Sequence, residues 1–126
     1  MKQFLLLMLF IVCCVTVLKL YNSHGAKKIT AAGAKARLDS GDPVVLLDVR
    51  TAEEFAEGHI PGAVCLPVEA IGRTAPAELP DKSAEILVYC RSGSRSAKAA
   101  RKLTGLGYTH VADFGGIQDW PYETTR

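Results

Sequence analysis

Ile86-Leu87-Val88-Tyr89-Cys90-Arg91-Ser92-Gly93-Ser94-Arg95-Ser96 carries the pattern of a buried strand, a sharp turn and the start of a helix. Ile86 to Tyr89 form a short apolar run, and from Ser96 the alanines and Leu103 recur at helical spacing, so the residues between must turn around Cys90. Backbone N–H groups at the helix start then converge on the sulfur. With the positive end of the helix dipole and the guanidiniums of Arg91 and Arg95, they favour thiolate over thiol, and any anion held beside it. An inert core cysteine would want apolar neighbours on both sides. Instead Arg91, Arg95, Lys98, Arg101 and Lys102 follow with no acid among them. Cys90 therefore reads as a reactive thiol in an electropositive, partly exposed site.

With 126 residues the chain has room for one domain with a real core. Met1-Lys2-Gln3 is a short cationic start, Phe4 to Leu18 is apolar except for Thr16, and Lys19 to Ala26 turns polar with small residues. This is the layout of a secretory signal, with Ser23 and Gly25 suiting cleavage after Gly25. Residues 1–25 are expected to be a signal peptide and residues 26–126 the folded domain. The competing reading is an N-terminal membrane anchor through residues 4–20, close to the lower limit for spanning a bilayer. Either way the domain is exported, and a periplasmic location is expected.

Removing residues 1–25 deletes Lys2 and Lys19 and no acid, so 15 basic and 13 acidic residues become 13 and 13, a net charge of zero. A nucleic-acid binder would carry a net basic face. Here the basic residues gather after Cys90 and the acids between Asp48 and Glu57, which argues against such a partner. Cys13 and Cys14 leave with the signal, so Cys65 and Cys90 remain where disulfides can persist.

Lys27 to Thr30 reads as a short first strand, and Thr30 caps a helix through Leu38 that stops at Ser40-Gly41. Val44 to Val49 is a strand buried on both faces, interrupted by Asp48, whose carboxylate needs backbone amides or an arginine as partner. Thr51 and Glu54 form a capping-box pattern for a short helix ending near Gly58. Ala63 to Leu66 is a brief strand, followed by a single helical turn around Glu69 to Ile71 and a loop from Arg73 to Lys82. Glu85 to Cys90 is the central strand, Ser96 to Leu103 its helix, His110 to Phe114 a last strand, Gly115-Gly116 a tight turn, and Ile117 to Trp120 a closing turn of helix. Strands alternating with helices argue an α/β domain: a small parallel sheet of about five strands with helices on both faces. Ligands of such folds bind at the carboxyl ends of the strands, where Cys90 and Asp48 both fall.

Three motifs, in order, resemble those of the single-domain rhodaneses, a sulfurtransferase family, over residues 27–121. They are Asp48-Val49-Arg50 with Glu53, Phe55 and Gly58-His59-Ile60-Pro61-Gly62-Ala63, then Cys90 to Ser96, then Gly115-Gly116 with Trp120. With the export signal, the chain is most similar to the small exported phage-shock-protein E-like type. The resemblance implies a thiosulfate sulfurtransferase. Cys90 thiolate would attack the outer sulfur of an anionic donor such as thiosulfate, keep it as a persulfide, and pass it to cyanide or a thiol. Substrate binding would fall to Arg91, Ser92, Gly93, Ser94, Arg95 and Ser96, whose amides cradle the persulfide while Arg91 and Arg95 orient the donor. Asp48 and Arg50 would support the site. His59 reads as a turn or packing residue, Glu53 and Glu54 as helix-start residues, and Trp120 as pocket rim or core. No metal or organic cofactor is implied, and a monomer is expected.

Cys65 stands where the family is expected to carry asparagine or a similar residue. It reads as a core thiol, or more sharply as a partner that resolves a persulfide or disulfide with Cys90. Ser92 stands where thiosulfate-specialised relatives carry a further basic residue, which leaves the donor open. Two rival functions share features of this site. A cysteine-dependent phosphatase would place arginine six positions after the cysteine, where this chain has Ser96. A binding module, such as a sulfur carrier or redox partner with incidental turnover, would share the same thiol.

Overall fold

In the computed structural model, which describes residues 1–22 and 25–126 with the side chains of 19–22 excepted, helices and strands alternate as α1 (Lys2–Asn22), β1 (Lys27–Lys28), α2 (Ala31–Asp39), β2 (Val44–Asp48), α3 (Ala52–Glu57), β3 (Val64–Cys65), β4 (Glu85–Cys90), α4 (Ser94–Gly105) and β5 (His110–Gly116). Single 3-10 turns at Val68–Ala70 and Ile117–Asp119 complete the chain. The five strands pair in the order β1-β5-β4-β2-β3, all parallel. Parallel pairing requires crossovers, and it buries the two central strands on both faces. That is why β2 and β4 read as nearly continuous apolar runs.

Alternate residues of each strand feed two cores. On one face Leu47, Val49, Ile86, Val88 and Cys90 pack with Ala99, Ala100 and Leu103 of α4; on the other Leu46, Leu87 and Tyr89 pack with Ala34 of α2, Phe114 and Trp120. The first face is finished by Leu66, Val68, Ile71 and Leu79, with the Tyr108 hydroxyl donating to the Leu79 carbonyl at 2.6 Å.

Local sequence sets the helix ends. Thr30 caps α2 by accepting from the Gly33 amide at 3.0 Å, and Thr51 with Glu54 forms the expected capping box on α3. Two expectations need correcting. Helix α4 begins at Ser94, not Ser96, because Gly93 takes φ +116°, a conformation open to glycine, and lets the chain enter the helix directly after the turn. Gly115-Gly116 is not a turn beyond the last strand but part of β5. Val88 pairs with Asp113 and Cys90 with Gly116, so one extra residue of β5 is accommodated as a bulge, with Gly115 at φ +90°.

Helix α1 exposes its side chains from Lys2 to Leu18. At about 1.5 Å per residue its apolar run is about 22 Å long, short of a hydrocarbon layer of about 30 Å. No helix among the described residues is long and apolar enough to cross a membrane. The expected cleavage segment includes residues 23 and 24, which lie outside the described residues.

Candidate active site

The site is built where β4 ends. Cys90 is the last residue of the central strand, and the chain folds over its sulfur through Arg91, Ser92 and Gly93 into α4. The Gly93 amide donates to Sγ at 3.0 Å, and the buried Ser96 hydroxyl stands 3.5 Å from it. The Ser96 hydroxyl also lies 3.0 Å from the Gly93 carbonyl and 3.3 Å from the Gly115 carbonyl, which accept its single proton when the protonated thiol donates to its oxygen and compete for that proton with the thiolate. Burial raises the thiol, but hydrogen bonding from the Ser96 hydroxyl and from the amides of Ser96, Gly93 and Ser92 outweighs it and brings Cys90 below the ordinary thiol range.

In contrast to the partly exposed thiol expected, Cys90 has no accessible surface. The sulfur is out of reach of solvent, beside the Gly93 amide that donates to it.

Gly116 fixes that loop from below. A Cβ there would overlap the Arg91 carbonyl and lie 2.7 Å from Ser92 Cα, and the Gln118 amide donates to the Arg91 carbonyl at 3.2 Å. The bulge in β5, braced by the Gly115 amide on buried Asp113 at 2.9 Å, brings Gly116 to this position. Sequence reasoning recognised the glycine pair but not this contact, which joins segments 25 residues apart (116 − 91).

Asp48 finds the arginine it needs. Both carboxylate oxygens accept from Arg50, at 2.7 Å from the Nη2 and 3.0 Å from the Nε, and Asp48 also accepts from the Arg50 amide. Arg50 then donates to the Gly58 carbonyl at 2.7 Å, tying the end of α3 to the end of β2. The pair is buried, and it lies on the sheet face opposite Cys90, because Asp48 pairs in register with Tyr89, the residue before Cys90. Arg50 still reaches an open cleft of about 650 Å³ that it lines with Glu54, Gly58, Arg91, Gln118 and Thr124 among others.

The two loop arginines differ. Arg91 is exposed, whereas Arg95 is bound by both oxygens of Glu54 at 2.6 and 2.9 Å. Arg95, expected to orient the donor, is thus also paired with a carboxylate, and Glu54 is more than a helix-start residue. The missed signal is the separation of 41 residues between the partners, which only the tertiary fold brings together.

His59 stacks on Phe55 with centroids 3.7 Å apart and meets the Phe55 carbonyl through Nδ1 at 2.8 Å, a packing role. Trp120 closes the core against Phe114. Cys65 is half-buried with its sulfur near the Arg50 carbonyl, and burial raises its thiol. It cannot bond directly to Cys90. Strand β2 lies between β3 and β4, about 9 to 10 Å of lateral separation, while bridged Cα atoms lie within about 7 Å. Cys65 also shares the face of Asp48 and Tyr89, not that of Cys90. Among the described residues no cluster could hold a metal ion.

A family model described as Rhodanese-like domain matches residues 30–122. The thiosulfate sulfurtransferase PspE of Escherichia coli (strain K12) is 36% identical over 73 residues, covering 58% of this chain and 70% of that one. A protein named Sulfurtransferase from Allochromatium vinosum is 38% identical over 94 residues, covering 74% and 86%. Among solved structures, a rhodanese with anions from E. coli superposes with a TM-score of 0.60 at 32% identity, covering 66% of this chain and 98% of that one.

Proposed function

The chain belongs to the rhodanese-like family, and from that premise we propose that it is an exported sulfurtransferase that carries sulfur as a persulfide on Cys90. The carrying observation is the thiol at the end of β4, held beneath a loop whose Gly93 amide and Ser96 hydroxyl face the sulfur. Hydrogen bonds from the loop lower the thiol, so thiolate forms more readily, and this reading assigns no residue as general base.

Cys90 thiolate attacks the outer sulfur of thiosulfate, the inner S–S bond breaks, and sulfite departs with the bonding pair. Charge balances at minus three on each side, since thiolate and thiosulfate give persulfide anion and sulfite. Cyanide or a thiolate then takes the outer sulfur and regenerates Cys90 thiolate. The amides from Arg91 to Ser96 suit a cradle for the anionic persulfide, and Arg91 attracts the donor. Asp48 and Arg50 position the α3 end of the cleft without touching the reacting atoms.

A phosphatase is disfavoured because position 96, six residues after Cys90, is a buried serine bonded to backbone carbonyls rather than an arginine. Residues 1–25 act as a cleaved signal and residues 26–126 as the exported domain in this reading; the N-terminal sequence of the exported protein checks it, beginning near Ala26 if cleaved and at Met1 if anchored.

The decisive experiment is the intact mass of the protein before and after thiosulfate, and again after cyanide, with Cys90→Ser alongside. One sulfur gained on Cys90 and returned as thiocyanate is expected. An unloaded wild type, or a variant that loads equally, rejects the proposal.

A further inference from the structure

Two of the three arginines Arg50, Arg91 and Arg95 are engaged by carboxylates. Arg50 is committed to Asp48, and Arg95 to Glu54 in a pair whose side chains are 29% and 27% exposed. Of the cleft-lining charges, Arg91 and Glu57 then remain, opposite in sign, with no ion-pair partner among the described residues.

Glu54 is well placed to keep hold of Arg95. Its Oε1 also accepts from the Thr51 amide at 3.4 Å and hydroxyl at 3.2 Å, so the start of α3 fixes the carboxylate before it reaches the guanidinium. A preorganised, bidentate pair is harder for a passing anion to displace than a solvated side chain is.

Thiosulfate asks more of such a site than an organic persulfide does. It brings a dianion beside a thiolate and leaves a dianion behind. A persulfide R–S–SH transfers its outer sulfur by forming one S–S bond to Cys90 and breaking another; Cys–S⁻ and R–S–SH give Cys–S–SH and R–S⁻, with a single negative charge throughout. A site whose second cation is withheld discriminates between these donors.

We propose that Glu54 is a specificity-determining residue that holds Arg95 away from incoming dianions and so favours an organic persulfide over thiosulfate as the sulfur donor. The inference rests on the sulfurtransferase reading above.

Glu54→Gln in the full chain tests it, because glutamine retains an oxygen for the capping box while giving up the charge. Two readouts separate the questions. Sulfate cannot donate sulfur, so its slowing of Cys90 alkylation by uncharged iodoacetamide, followed by peptide mass, reports dianion affinity alone. Turnover with thiosulfate and with cysteine persulfide reports donor choice.

In Glu54→Gln the half-protecting sulfate concentration and the thiosulfate KM should both fall about threefold to tenfold, the range of one partly screened charge. The kcat/KM for cysteine persulfide should stay within about twofold on the same basis. Adding Arg95→Gln should erase the gain. Equal losses with both donors, or a gain that survives the second substitution, would overturn the proposal. A wild type that moves no sulfur from either donor rejects the sulfurtransferase reading and the persulfide donor with it, whereas improved sulfate protection in Glu54→Gln would still support control of anion affinity by this residue.

Discussion

The Ser96 hydroxyl is the side-chain group that answers the burial of Cys90. Burial alone would raise the thiol, and the hydroxyl and loop amides outweigh it. Ser96→Ala removes the hydroxyl and leaves the amides, so the pH midpoint for alkylation of Cys90 should move upward and the thiolate fraction at a given pH below it should fall. Sulfur-transfer kcat/KM near neutrality should drop about tenfold, in keeping with one hydrogen bond to a charged group. An alkylation profile that overlays the wild type would mean that the amides suffice. At this scale the sequence was informative about Cys90 and its loop, since a strand end, a glycine and a helix start are neighbours in the chain. It pointed to a partly exposed thiol where the fold buries it, since β5 lies against the backbone of Arg91 and Ser92.

Helix α4, the bulge in β5 and helix α3 form the mechanical frame of the loop, and each makes a distinct prediction. Gly116→Ala must push the Arg91–Ser92 backbone away, so it should destabilise the fold by roughly 2 to 4 kcal/mol and lower sulfur transfer along with it, read by urea unfolding and turnover. Gly105→Ala, in the last turn of α4 with open space around its Cβ, should instead stabilise by about 0.5 to 1 kcal/mol. Glu54 links α3 to α4. Hydrogen bonding from Arg95, against an opposing burial effect, lowers its carboxyl from 4.5 to about 2. Because the folded value is depressed, the pair's stabilisation is present above about pH 4.5 and is lost as pH falls toward 2. The difference in urea midpoint between wild type and Glu54→Gln should therefore shrink steadily below pH 4.5; a difference constant down to pH 3 would deny the ion pair any part in it. Capping boxes and helix stops were legible because they are local hydrogen-bond patterns. The bulge was not, because a glycine pair suits a turn and a bulge equally well.

Over the whole molecule, sheet order governs which thiols can meet. With β2 between them and their side chains on opposite faces, Cys65 and Cys90 should give no intramolecular disulfide under mild oxidation, and thiol counts with non-reducing peptide mapping should find both unlinked to each other. A Cys65–Cys90 peptide would require the sheet to open. The sequence by itself determined the alternation of strands and helices, the placement of Cys90 at the end of a buried strand and the chemistry expected of it, since propensity, capping and hydrophobic period act over a few residues. Only the tertiary structure decided that Arg95 is bound to Glu54, that Gly116 supports the loop, and that Asp48 and Cys65 face away from the sulfur. Those relations join residues far apart in the chain, and strand order and register, which no local pattern encodes, bring them together or keep them apart.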